Sequence, residues 1–325
     1  MKRTLFCILL TGFTTWNAQA QEPINTGAAN FLNITSDARG AGMGGAGVAL
    51  TGNDDAIFYN GATSLLDEDR TGGITYNYTP WMRDFDGGYA FHNAGGFYKL
   101  NERSAILAGY QYFKYPKTNI TANGQQGGAI RPKEMAFAVG YAYELFTDFA
   151  LSGTFKYIRS DMGKVEGAKS ANAVAFDIGA LYKTAIKGME GATWSAGLQV
   201  SNIGTKLKYL NKKESLPTMA KLGGAVDLLF SSLHRLILTA DLGYRIAPSD
   251  VESVNVSAGA EYILRENFMF RGGYHYGDKN KGDSSYGTAG LGTMLKGAHI
   301  DFSWLFAASD NPLRNTFWTS FGYSF

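Results

Sequence analysis

The sequence predicts an all-β protein: a transmembrane antiparallel β-barrel of about 14 strands, headed by a glycine-rich segment that acts as a plug or hatch. Three observations carry this expectation. The chain opens with an export leader. Its body alternates between bulky and small residues in fourteen separate stretches. The connections between those stretches are mostly short on one side and long on the other.

The leader comes first. Residues 1–20, MKRTLFCILLTGFTTWNAQA, hold Lys2 and Arg3, an apolar run from Leu5 to about Trp16, and the small-x-small pattern Ala18-Gln19-Ala20. This is the layout of a secretory signal peptide, so the mature chain is expected to start at Gln21. The run is too short, and too polar at its end, for a membrane-spanning helix. Cys7, the one cysteine, precedes most of the apolar run, which argues against a lipoprotein. It leaves with the leader and takes disulfide and thiol chemistry with it. Lys2 and Arg3 leave too, and the formal charge of +2 falls to zero. A neutral surface excludes the nucleic-acid binders, which need a basic face. Gly (41), Phe (21) and Tyr (19) make up a quarter of the chain, and charged residues only 18 %. No apolar run beyond the leader approaches the ~20 residues of a spanning helix, so a membrane location requires strands.

The strands follow from period-two alternation. From Glu134 to Leu145 the odd positions read Met135, Phe137, Val139, Tyr141, Tyr143, Leu145, and the even positions Glu134, Ala136, Ala138, Gly140, Ala142, Glu144. One face is bulky and apolar and the other is small, which is a strand whose two faces meet different media. Segments with this character fall near 72–79, 87–99, 104–115, 133–146, 149–160, 171–184, 192–202, 218–230, 235–246, 252–264, 267–276, 284–296, 298–308 and 315–325. A soluble sandwich also alternates, but its exposed face would carry Lys, Glu and Thr. Here the minor face is mostly Gly, Ala and Ser.

The connections agree. Those at 80–86, 116–132, 161–170, 203–217, 247–251, 277–283 and 309–314 are mostly long and polar, whereas "TD" at 147–148, "REN" at 265–267 and "KG" at 296–297 are tight. Short turns at one rim and long loops at the other characterise outer-membrane barrels, and an even strand count puts both chain ends on the turn side. The chain closes on Phe317, Phe321, Tyr323 and Phe325 along one face. That ending resembles the assembly signal of bacterial outer-membrane barrels.

Residues 21–71 do not alternate and are expected to form the plug, with the barrel spanning 72–325. The stretch ARGAGMGGAGVAL (38–50) contains G-x-G-x-x-G twice. A dinucleotide loop would need a preceding strand, a following helix and a cytosolic cofactor, none of which the context supplies. The structural reading is close packing of small residues against other backbone, with Asp37, Arg39, Gly42, Met43, Gly44, Gly47 and Asn60 as the plug motif.

The same region, FLNITSDARGAGMGGAGVAL, closely resembles the N-terminal signature of the PorV/PorQ family, outer-membrane components of type IX secretion in Bacteroidetes. The likeness extends to VSNIGTKLKYL (200–210), LPTMAKLGGAVDLL (216–229) and HIDFSWLFAASDNPLRNTFWTSFGYSF (299–325). It implies a FadL-like barrel of fourteen strands with an N-terminal hatch. FadL-type hatches carry Asn-Pro-Ala where this chain reads Asn60-Gly61-Ala62. The resemblance also implies an outer-membrane location in a Bacteroidetes-type Gram-negative cell. Its implied partners are a SprA-like translocon, a PorU-like attachment complex and cargo with a C-terminal sorting domain.

Chemistry is sparse. Among the four histidines, His299 shares a strand face with Asp301 and Ser303, but two steps along one face separate His299 from Ser303 by about 13 Å, too far for a triad. Asp54, Asp55, Asp67, Glu68 and Asp69 match no calcium loop. No metal, cofactor or catalytic residue is expected. Lys156, Asp177, Asp227, Asp241, Arg245, Glu261 and Arg271 are expected to pair across the lumen. The loops are the better place for function. Loop 203–217 is basic, with Leu207, Tyr209 and Leu210 interleaved, and its residues Lys206, Leu207, Lys208, Tyr209 and Leu210 are the candidate contact for a protein partner or for lipopolysaccharide. The resemblance implies three functions, in order: a carrier of sorting-domain cargo, a FadL-like channel for hydrophobic small molecules, and a lipid A deacylase. The last needs a nucleophile and base in reach near the outer rim, and the sequence offers none.

Overall fold

The computed structural model describes residues 27–67, 70–84, 88–122, 125–163, 170–209 and 212–325. The expected signal peptide with Cys7, and also Glu68, Asp69 and Leu210, lie outside them. Eighteen strands are found among the described residues. They are β1 (Gly72–Thr79), β2 (Ala90–Asn101), β3 (Ser104–Lys114), β4 (Thr118–Ala122), β5 (Gln125–Ile130), β6 (Lys133–Phe146), β7 (Phe149–Asp161), β8 (Ala171–Ala185) and β9 (Thr193–Gly204). Then come β10 (Leu207–Tyr209), β11 (Lys212–Glu214), β12 (Met219–Ser231), β13 (His234–Arg245), β14 (Ser253–Leu264), β15 (Phe268–Tyr276), β16 (Tyr286–Leu295), β17 (Ala298–Phe306) and β18 (Phe317–Ser324). Fourteen form one closed barrel in which every strand pairs with its neighbours along the chain and β1 meets β18. Closure satisfies the backbone N–H and C=O groups that an open edge would leave bare in lipid. The pairs β4–β5 and β10–β11 are separate hairpins inside the long connections 116–132 and 203–217.

The alternation becomes an inside and an outside. In β6, Phe137, Val139, Tyr141 and Tyr143 are exposed, while Glu134, Ala136, Ala138 and Ala142 are buried. The same holds in β13, where Leu238, Leu242 and Tyr244 face out and Ile237, Thr239, Asp241 and Arg245 face in. Outward rings cluster at both rims. Phe146–Phe149 and Tyr182–Trp194 lie at the turn end, and Trp304–Phe317 and Phe302–Phe317 at the loop end. These are the two aromatic girdles that flank a lipid-facing band.

Besides the register shifts next to three of the tight turns, the described wall slips once in mid-strand. Between β8 and β9 the register slips at Phe176/Ile178, and Asn202 adopts a left-handed φ of 60°. Asn tolerates that region better than most side chains. The bulge turns Asn202 inward, where its Oδ1 accepts from Lys156 Nζ at 2.9 Å and its Nδ2 donates to the Pro217 carbonyl at 3.0 Å.

Candidate functional site

The N-terminal segment runs inside the wall, from the loop end to the turn end. At the loop end, Phe31 and Leu32 pack on Phe91, Phe113, Ala136, Ile158 and Leu207. At mid-depth a short helix, α1 (Ala38–Gly42), is capped by Asp37, whose carboxylate accepts from Gly40 N at 3.3 Å. Lower still, Ile57, Ala62 and Leu65 pack on Ala105, Ala142, Ala150 and Leu181. Lys183 Nζ adds a bond to the Leu66 carbonyl at 2.8 Å.

The glycines set how close the segment comes. Gly44 has φ +70°, and a Cβ there would sit 2.6 Å from the Tyr274 carbonyl oxygen. The same wall offers Gly273, so backbone meets backbone with no side chain between. A Cβ on Gly47 would overlap the Tyr59 ring. Met43 is fully buried against the wall at Gly259, and Gly42 lies beside Arg271.

Polar groups fix the segment at several heights. Gly47 N and Val48 N donate to Asp241 Oδ2 at 2.7 and 3.1 Å. Asn60, fully buried, donates to the carbonyls of Val48 and Ala180, each at 2.9 Å, and its Oδ1 accepts from Ala62 N at 3.2 Å. The last strand binds the segment three times: Trp318 Nε1 to the Thr35 carbonyl at 2.9 Å, Ala38 N to Ser320 Oγ at 2.8 Å, and Ser324 Oγ to Asp54 Oδ2 at 2.8 Å.

An ion-pair chain crosses from segment to wall and back. Arg39 Nη2 lies 2.7 Å from Glu261, Glu261 2.6 Å from Arg271, and Arg271 2.6 Å from Asp301. His299 then bridges Asp301 at 2.8 Å and Asp54 at 3.0 Å, and Asp54 meets Arg70 at 3.1 Å. Such a chain tolerates burial because each charge has an opposite in contact. Burial works against the Arg39 charge, but Glu261 outweighs it and holds the guanidinium above its usual range. Two other carboxyls of the segment lack such compensation. Burial pushes Asp37 up despite hydrogen bonds from Tyr59 and Gly40. Burial, followed by the Asp37 charge, pushes Asp55 well up, although Asn77 donates to it at 2.5 Å.

The pairing expected of the lumen charges is uneven. Lys156 meets Asp177 at 2.6 Å, and Asp227 pairs with Arg235 near the turn end. Asp241 instead serves the backbone of Gly47 and Val48. Arg245 donates to the Lys281 carbonyl at 3.3 Å, and among the described residues its buried Nε has no hydrogen-bond partner.

Above the segment a cavity of about 1310 Å3 opens among the loops. One side is aromatic and apolar, with Phe31, Ile34, Trp81, Phe113, Tyr115 and Trp318; the other is polar, with Lys221, Arg245, Asn255, Ser257, His275 and Asp283. On the polar side Ser257 Oγ lies 2.9 Å from His275 Nδ1, and His275 Nε2 lies 2.8 Å from Asp283 Oδ1. Burial raises the Asp283 carboxyl, but hydrogen bonding and charge from His275, a hydrogen bond from Asn255 and the Arg245 charge outweigh it and hold it below its usual range. From the sequence alone, hydrogen-bond contact among Ser257, His275 and Asp283 near the outer rim is not anticipated. The signal lay in the register of β14 against β15, which sets Ser257 opposite His275. His299 and Ser303 remain apart in function, since Ser303 donates to the Ala38 carbonyl at 2.5 Å and His299 faces two carboxylates.

The basic loop also differs from its reading. Lys206, Lys208, Lys212 and Lys213 are exposed, but Leu207, expected as an exposed apolar contact, is fully buried beneath β10 against Phe31 and Leu216, with Tyr209 packed beside it. The hairpin is pinned over the mouth because an apolar side chain in a basic strand has a dry socket to enter. Among the described residues no three His, Asp or Glu side chains are grouped to hold a metal.

The model of the family described as "Type IX secretion system protein PorV" matches residues 17–252. No curated protein matches the sequence. Among solved structures, the chain is similar to the toluene transporter TbuX of Ralstonia pickettii, at 14 % identity and a TM-score of 0.59 over 90 % of this chain and 98 % of that one. It is similar to the toluene transporter TodX of P. putida, at 12 % identity and a TM-score of 0.60 over 90 % and 99 %. A FadL homologue of Pseudomonas aeruginosa matches at 13 % identity and a TM-score of 0.51 over 90 % and 98 %. Identities this low carry the fold alone. With the family match over most of its length, this chain belongs to the PorV family of type IX secretion proteins, built as a FadL-like barrel of the Gram-negative outer membrane.

Proposed function

We propose that the barrel is a membrane-anchored carrier of type IX secretion in a Bacteroidetes-type cell. In this reading it receives sorting-domain cargo from a SprA-like translocon and delivers it to a PorU-like attachment complex, using its outer loops. The observation that carries the reading is the occupied lumen. A segment tied to the wall by seven charged side chains, from Arg39 through Asp301 to Arg70, serves as a plug rather than a gate. What remains for recognition is the loop end, where the hairpin 207–214 presents lysines from a fixed base. Carriage requires no chemistry on the cargo. Pull-down of a sorting-domain protein by the folded full-length barrel tests it, with Lys206, Lys208 and Lys212 changed to Glu in a second arm. Capture that weakens in the second arm is expected; no capture by a folded barrel would count heavily against the reading.

A second reading, a channel for hydrophobic small molecules, is favoured by the aromatic side of the outer cavity. It requires the segment to move. A deletion strain that takes up toluene-like solutes as fast as its parent would remove it.

A further inference from the structure

We propose that the outer face of β3, β6 and β7, at the loop end, binds the phosphate headgroup of an outer-leaflet lipid through Lys114, Lys133 and Arg159. The proposal goes beyond the carrier reading and does not depend on it. The site is separate from the hairpin 207–214.

The strands place the three cations. Phe113, Glu134 and Ser160 are buried on the inner face. Alternation therefore turns their neighbours Lys114, Lys133 and Arg159 to the lipid side. All three lie at the loop end, where β3 finishes, β6 starts and β7 finishes. Lys114 and Lys133 are direct cross-strand partners, so their Cβ atoms stand about 4.5–5.5 Å apart. Arg159 pairs with Met135, two residues along from Lys133, which sets it on the diagonal at roughly 7–8 Å. Asp161 stands opposite Lys133, and its carboxylate also accepts from Gly163 N at 3.0 Å. One acid against three bases leaves the patch net positive. Lys117 and Arg131, exposed at the feet of the hairpin β4–β5, add positive charge just beyond the strand ends.

Without a counter-ion this arrangement is costly. Like charges directly opposite each other on a sheet destabilise it, and charge on the lipid face of a barrel adds a cost that grows with depth. Outward positions at the loop ends of other strands are apolar or aromatic, as at Val254, Tyr276 and Phe306. Snorkelling toward the headgroups accounts for a single lysine. It does not account for two lysines face to face with an arginine on the diagonal. A phosphate between them does, because its oxygens accept from both ammonium groups and from the paired donors of the guanidinium.

The wall beneath suits the rest of a lipid. From the cations toward mid-membrane the outward residues are Tyr112, Tyr110, Phe137 and Val139. The rings of Tyr110 and Phe137 pack at 4.7 Å, and Phe137 and Val139 are exposed. Nearer the cations, His92 packs beside Tyr112 at 6.2 Å, and Tyr157 Oη donates to Asn172 Oδ1 at 3.0 Å. Polar tips are thus grouped at headgroup level and apolar surface lies below, the order in which an anionic lipid presents its own parts. A soluble anion or an acidic protein segment would use the cations and leave the surface beneath them unused.

The test uses the full-length barrel, folded in detergent and stripped of lipid, with folding checked by heat-dependent gel migration. Diphosphoryl lipid A is added and bound lipid is read by native mass spectrometry. One retained equivalent is expected, with phosphatidylethanolamine, which has no net charge, retained at least ~10-fold less. Combining Lys114→Gln, Lys133→Gln and Arg159→Gln should lower lipid A retention at least ~10-fold. Lys206→Gln with Lys208→Gln, on the hairpin, should leave it unchanged, and inorganic phosphate in large excess should not displace the lipid. Where the triple variant fails to fold, Lys114→Gln alone should still lower retention ~3-fold. A folded wild-type barrel that retains no lipid A overturns the proposal, as does retention that the wall variants leave unchanged or phosphatidylethanolamine held equally well. Displacement by inorganic phosphate overturns it too and marks an adventitious ion only. So does a triple variant that keeps the lipid but loses sorting-domain cargo, which assigns the patch to a protein partner. Retention is read without cargo, so failure here and failure of the carrier reading are separate results.

Discussion

The two halves of the lumen differ in how their polar groups are satisfied. In the turn-side half, from Arg39 to Arg70, most charges meet charges across the segment–wall boundary, Asp55 excepted, and apolar groups fill what is left. In the loop-side half, Arg245 Nε has no hydrogen-bond partner among the described residues, and Ser257 and His275 border open space. A filled half with paired charges holds its shape. A half with spare donors and an aromatic wall has binding capacity left over. On the proposed carrier reading, the first end supplies rigidity and the second recognition.

The largest expected effect breaks the rigid half. Arg271→Ala leaves Glu261 and Asp301 without their shared partner, and should cost about 3–5 kcal/mol. Thermal loss of the heat-modifiable folded band measures it. Next, Phe31→Ala removes the ring that stacks on Phe113 at 6.4 Å and holds Leu207. A cost of ~3 kcal/mol is expected, concentrated at the loop end. Limited proteolysis should then cut the hairpin 207–214 while the barrel stays intact, and a barrel that melts as a whole would contradict the division into halves. Gly44→Val forces a branched side chain into φ +70° and against Tyr274, for ~1–3 kcal/mol or more.

A smaller effect depends on pH. Asp55 is raised well above its ordinary 3.8 by burial and by the Asp37 charge. The folded state therefore holds this proton longer than the unfolded state. Its contribution is fully present below about pH 4 and is lost as pH rises toward the folded-state value. Asp55→Asn should flatten that decline in a melting series from pH 4 to 8; an unchanged slope would remove Asp55 as its cause. Smallest of all, Lys208→Glu should change stability by less than ~0.5 kcal/mol while weakening cargo capture.

Legibility tracked the range of the interaction. The strands were readable because lipid and lumen impose opposite demands at every second residue, as at Phe137 and Ala138. Their ends were readable to within three residues: 284–296 is β16 at Tyr286–Leu295, and 315–325 is β18 at Phe317–Ser324. The hairpins inside the long loops were not, because Leu207 is held by Phe31, a contact that no local pattern encodes. The polar side of the cavity was hidden for the same reason. Ser257 and His275 meet through register, and Asp283 arrives from a loop. The G-x-G-x-x-G glycines did not name the wall they face, which is Gly273 and Tyr274 for Gly44.

The three bonds from β18 to Thr35, Ala38 and Asp54 bear on assembly. The final strand is also the one that zips to β1 and seals the cylinder. It therefore finds its register against two templates at once, the first strand and the chain lying within. In the folded barrel the seam of the sheet thus lies directly against the inner segment, with the last strand shared between the two.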